Sequence, residues 1–282
     1  MLNLYTVFIF VTTLFTSSMA SANWHRVADD IVRASLDSNT NVEELAAFAA
    51  IESSFRPTVK NDQSTATGLF QFTNRTWRVT VQRYGHQYGI ARTANRRAAY
   101  DNAVMGAEYL KENRRTLRNY LGREPTLTEV YMAHLLSPRR AAEIARAPWH
   151  QNVADMYPKL AAVNGRLFYR EGRARNVAQF IGVLKAKIDK ARSTYGPMAK
   201  EALVAYLDRQ EERRRWQQEL VLAMQSTCMP AVLTKPDVRL TPTSTMVHST
   251  FKVHCKFQSK RDPLAPDWNL QDAVIRDREL AA

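Results

Sequence analysis

The chain has 282 residues, 45% of them hydrophobic, enough for one or two domains with a real core. Its 40 Lys and Arg outnumber 27 Asp and Glu, a formal charge of +13 that suits an anionic partner: murein with its peptide carboxylates, a membrane surface, or nucleic acid. No nucleic-acid-binding fingerprint accompanies the arginines, so nucleic acid is not expected as a partner. Repeats and low-complexity tracts are absent from the sequence.

The first charged side chain is Arg26. An apolar run from Leu4 to Phe15 precedes it, followed by Ala20-Ser21-Ala22, so residues 1–22 read as a signal peptide cut after Ala22. Export to the periplasm follows as an expectation, with no transmembrane span in the mature chain. No Lys or Arg precedes the apolar run, which leaves an uncleaved anchor as the alternative. In an exported protein the two cysteines, Cys228 and Cys255, favour a disulfide. Their spacing does not fit a zinc site, and no metal or other cofactor is expected.

Trp24 to Leu36 reads as a first amphipathic helix with Val27, Ile31 and Leu36 inward. Asn41, with Glu44 three residues on, starts a second helix at Val42. Val42, Leu45 and Ala49 share a face that Glu52 continues, and Pro57 stops the helix just beyond the carboxylate. Desolvation and the negative end of the helix dipole both favour the protonated form of such a Glu, the state a general acid needs. A polar loop from Lys60 to Thr67 leads into Gly68-Leu69-Phe70-Gln71-Phe72, and Thr73 caps a helix to Tyr84 that ends at Gly85. Trp77 on it fits a core better than a sugar groove. Asn95 opens a long helix to about Asn119, with Ala99, Ala103, Ala107 and Leu110 on a narrow face. Gly106 there implies close approach of another helix. Thr126-Leu-Thr-Glu129 is a capping box for a helix from Leu127 to Leu136, which carries Tyr131 and His134. Pro138 starts another helix, and Trp149 to Tyr157 closes the unit.

Glu52-Ser53-x-Phe55, a short polar loop, Gly68-Leu69-Phe70-Gln71 and then Asn102-x-x-x-Gly106-Ala-x-Tyr109-Leu110 resemble the soluble lytic transglycosylases of the lysozyme-like superfamily. The resemblance covers about Trp24 to Tyr157. Phe70 stands where that family usually has Met, and Ala133-His134 where it shows Tyr-Asn, with Tyr131 one turn earlier. The resemblance implies an all-α, lysozyme-like fold of the goose-type lysozyme kind and a substrate of peptidoglycan glycan strands. It implies cleavage of the bond between N-acetylmuramic acid and N-acetylglucosamine with a 1,6-anhydro product. Glu52 would be acid and then base, Ser53 would orient it, and Gln71 would donate to the sugar. Gly68, Phe70, Tyr131 and His134 would complete the substrate-binding set. Such enzymes often open the wall for a conjugation, secretion or phage apparatus, so cell-envelope machinery is an expected partner. Two rivals stand beside this reading. A lysozyme-type muramidase would need a second carboxylate, for which Asp62 is the candidate. A non-catalytic murein-binding assembly protein would keep the fold without turnover.

These patterns divide the chain into the signal peptide, a lysozyme-like domain over 23–160, a basic helical extension over 161–227 and a Pro/Thr-rich tail over 228–282. The extension reads as two helices. Gly172 to Arg192 buries Val177, Phe180, Ile181, Leu184 and Ile188; Met198 to Met224 carries the charged run from Arg209 to Arg215. In the tail, Val247, Phe251, Val253, Cys255 and Phe257 lie on alternate positions and, with Val232 to Leu240, suggest a small hairpin.

Overall fold

The computed structural model describes residues 4–62 and 64–227, with side chains over 20–62, 64–162 and 164–224. The expected tail hairpin and the Cys228–Cys255 bridge lie outside the described residues. Helices dominate: α1 (Leu4–Ser38), α2 (Val42–Ser53), α3 (Asn74–Tyr84), α4 (Ala99–Leu121), α5 (Leu127–Leu136) and α6 (Pro138–Arg146). Three short helices follow, α7 (Val153–Met156), α8 (Pro158–Val163) and α9 (Gly165–Phe168), then a two-residue hairpin of β1 (Tyr169–Arg170) with β2 (Arg173–Ala174), and α10 (Val177–Thr227). The fold is all-α. No described helix is long and apolar enough to cross a membrane.

The helix starts are set locally. Asn41 accepts from the Glu44 N–H at 3.0 Å, and Thr73 accepts from the Thr76 N–H at 3.2 Å. At Thr126 both halves of the capping box form: the hydroxyl accepts from the Glu129 N–H, and the Glu129 carboxylate accepts from the Thr126 N–H at 2.8 Å. Arg123 grips the same carboxylate at 2.6 and 2.9 Å. Burial pushes the Glu129 acid up, but hydrogen bonds from Arg123 and Thr126 outweigh it and hold the carboxyl below its usual range.

Other boundaries depart from the expectation. The long helix begins at Ala99, because Asn95 spends its side chain on the Arg97 N–H in a preceding turn. Gly85 keeps an ordinary helical φ of −56°, and the left-handed position falls to Gly89 after a single 3₁₀ turn. Glycine is needed at 85 for a different reason, since a Cβ there would lie 2.8 Å from the Ile90 carbonyl oxygen. Leu36 is 42% exposed rather than inward, while Trp24, Val27, Ile31 and Val32 are buried.

The C-terminal extension is one helix, not two. Pro197 lies inside α10, where an isolated helix would break. Packing on both sides of it explains the continuity. The Tyr195 ring meets Phe55 edge-on at 4.9 Å, Lys200 pairs with Glu43 at 3.2 Å, and Ala199 is fully buried. Farther along, Arg209 binds Asp29 at 2.6 Å. The first compact unit therefore runs through Glu211, well past residue 160, and a second begins at Glu212. The described part of the second is helical and exposes Trp216, Val221 and Leu222.

Within the first unit α1 lies along α4, and the α5–α6 pair packs on the same helix. Helix α2 is held against both α1 and α4, with Leu45, Ala46, Ala47, Phe48 and Ala49 fully buried.

Candidate active site

Glu52 sits on the last turn of α2. The helix stops after Ser53 because Ser54 and Phe55 both adopt left-handed backbone, with φ of 51° and 60°. Each such non-glycine residue costs roughly 1–2 kcal/mol. Burial of the Phe55 ring between Trp24 (centroids 5.1 Å apart) and Tyr195 offsets that cost. The stop thus falls where Pro57 suggested, but the buried ring causes it.

Behind Glu52 stands an aromatic wall. The His134 ring lies 6.3 Å from Tyr131 at 13° between planes, with Phe48 at 6.0 Å and Tyr109 at 5.6 Å both edge-on. His134 Nε2 is 3.5 Å from Glu52 Oε1, and the two side chains are only 10% and 12% exposed. Oε1 is buried with no hydrogen-bond partner among the described residues. The Tyr131 hydroxyl also faces this carboxylate. Burial first, then the charge of Glu52 and hydrogen bonding to it, hold the phenol far above its ordinary range. Burial likewise raises Tyr109. Among the described residues Glu52 has no other ion pair, and no group of three or more His, Cys, Asp or Glu is placed to hold a metal ion.

The neighbouring turn is tied down by backbone bonding. Gly68 has a φ of +89°, and a Cβ there would fall 2.3 Å from Asn102 Nδ2. Fully buried Asn102 accepts from the Phe70 N–H at 2.8 Å and donates to the Arg96 carbonyl at 2.7 Å. Arg96 in turn donates to the Thr65 and Phe72 carbonyls. Phe70 lies flat over Gly106, where a Cβ would come within 2.5 Å of its ring.

Residues 30–136 match the family model for the transglycosylase SLT domain. This segment is an SLT domain. Its family is that of the lytic transglycosylases, lysozyme-like proteins whose substrate is peptidoglycan.

The SLT domain brings Glu52, Tyr131 and His134 together, three of the seven residues the sequence picked out. The other four have different employment. Ser53 is buried and donates its hydroxyl to the Ala49 carbonyl at 3.0 Å, so it closes the helix end instead of orienting Glu52. Phe70 is 1% exposed and Gly68 is buried; both pack within the turn. Gly106 accommodates this Phe70 ring rather than another helix. Gln71 is half-buried with a φ of 48° and donates its amide nitrogen to the Val59 and Gly68 carbonyls. These two bonds occupy the amide nitrogen, the group expected to donate to the sugar. Trp77 is core, with its indole N–H on the Ala94 carbonyl. Asp62 is exposed on the loop.

Tyr109 and Phe48 are the wall residues that sequence reasoning passed over. Tyr109 lies three residues beyond Gly106 in the third motif patch, a signal that was available. A described depression of about 290 Å³ lies elsewhere. It opens between Leu36, Val42, Lys200 and Leu203 at the N-terminal end of α2, about 15 Å of helix away from Glu52. Chemistry, not concavity, marks the site.

Proposed function

We propose that this chain is a peptidoglycan lytic transglycosylase that cuts the β-1,4 bond from N-acetylmuramic acid to N-acetylglucosamine without consuming water. Glu52 donates its proton to the leaving glycosidic oxygen. The same carboxylate then takes a proton from the muramyl C6 hydroxyl, whose oxygen closes the 1,6-anhydro ring. One carboxyl suffices because the proton given in the first step is regained in the second. The observation that carries this reading is the buried, unpartnered Oε1 of Glu52 in a wall of four aromatic rings. A carboxyl so placed is poorly solvated, and substrate supplies the partner that Oε1 lacks. Tyr131 supports the carboxylate formed midway by hydrogen bonding from its un-ionised hydroxyl. Export to the periplasm and local wall opening for an envelope-spanning apparatus fit the apolar N-terminal run and the charge of +13.

The test is a digest of murein by the chain from Asn23 onward, beside its Glu52→Gln variant, read by mass spectrometry. Anhydro-muramyl ends that vanish in the variant are expected. Reducing ends would mean a muramidase, with Asp62 the next residue to change. No release by either protein, with both still sedimenting on murein, would mean a binding protein.

A further inference from the structure

Two polar atoms in the aromatic wall are buried without a hydrogen-bond partner among the described residues, and they belong to facing side chains: Glu52 Oε1 and His134 Nδ1. The other ring nitrogen, Nε2, stands 3.5 Å from Oε1, which is ion-pair reach without a formed hydrogen bond. Three rings confine the imidazole: Tyr131 stacked on it, Phe48 and Tyr109 edge-on. The titratable groups facing it are Glu52 from α2, Tyr109 from α4 and Tyr131 on its own helix. Burial holds both phenols above their ordinary range, so neither exchanges a proton near neutral pH. On α6, Arg139 pairs with Glu143, Glu143 accepts from Tyr157, and Arg140 donates to the Leu136 carbonyl.

We propose that Glu52 and His134 share one proton, and that His134 is the positioning residue that stores it on Nε2 and returns it to Oε1 when a glycan covers the pair. The proposal rests on the transglycosylase reading and adds to it the control of the acid. Without substrate the proton sits on Nε2, and the two side chains, 10% and 12% exposed, keep a little contact with water as an ion pair at 3.5 Å. A glycan laid over the pair removes that remaining water, and burial disfavours both charges. The Nε2–H bond breaks, the Oε1–H bond forms, and the pair passes from two opposite charges to none. No other group gains or loses a proton. The acid is thereby armed by substrate itself.

Two measurements test the pair. The first is kcat/KM against pH for wild type and His134→Phe, a change that keeps a ring in the wall and removes both nitrogens. The alkaline limb of the wild type belongs to the pair, so it should move toward acid by about one pH unit or more in the variant. An unmoved limb overturns the proposal. The second needs no turnover: the ¹⁵N resonances of His134 at one pH near neutrality, in wild type and Glu52→Gln. A smaller imidazolium fraction in the variant is expected, and a ring indifferent to residue 52 overturns the proposal even if His134→Phe fails to fold. Should wild type release no anhydro ends while the ring still responds to Glu52, the transglycosylase reading falls and the shared proton stands.

Discussion

At the scale of single residues, the turn beside Glu52 depends on two positions that never touch the carboxylate. Asn102→Ala leaves the Phe70 N–H and the Arg96 carbonyl unpaired in a buried site, so thermal unfolding should register a loss of about 1–3 kcal/mol. Gly106→Ala drives a methyl group into the Phe70 ring and should cost about 1–3 kcal/mol by overpacking. Activity on murein should fall in both, because the turn carries Gln71. The sequence disclosed Glu52 because a carboxylate on an apolar stripe conflicts with its neighbours, and such a conflict is visible in one dimension. It could not disclose how Ser53 or Gln71 would spend their hydrogen bonds. Each can bond its own backbone or a ligand, and only the fold decides: Ser53 turns back to Ala49, and Gln71 folds onto Val59 and Gly68.

At the scale of elements, the α5 start offers a pH test. Glu129 is held below the usual carboxylate range in the folded state. A depressed folded value means stabilisation that is fully present above the unfolded value and lost as pH falls through the folded one. Wild type should therefore lose melting temperature on acidification below about pH 4 more steeply than Glu129→Gln. At neutral pH, Thr126→Ala should cost about 1 kcal/mol by calorimetry. Capping of this kind was legible in advance, since Asn41, Thr73 and Thr126 satisfy donors only three residues away. Continuity through Pro197 was not legible. Local rules break a helix at proline, and the contacts that override them come from Phe55 and Glu43, far earlier in the chain.

At the scale of the molecule, the segment that looked like an appendage completes the core. Phe180, Leu184, Ile188 and Ala199 are buried to the last few per cent, and Phe168 packs on Phe180 at 5.2 Å. A chain ended at Glu211 should give a cooperative melt in circular dichroism. One ended at Leu160 should lose it, because the apolar surface beneath α10 would meet water. The division into a domain and an extension followed the resemblance, which ends at about Tyr157, and the basic character of the helices beyond it. Charge on the outer face of a helix says nothing of what its inner face covers.

Helix α10 meets α2 at both its extremities: Lys200 at Glu43 on the first turn, Tyr195 at Phe55 just past the last. A short helix clamped at its two ends cannot fray, since fraying begins where a helix is free. The central amides of α2, from Ala46 to Ala50, should therefore trade hydrogen for deuterium only when the whole unit opens, at the slowest rate in the protein. The carboxyl that this helix carries then keeps its aim for as long as the chain stays folded.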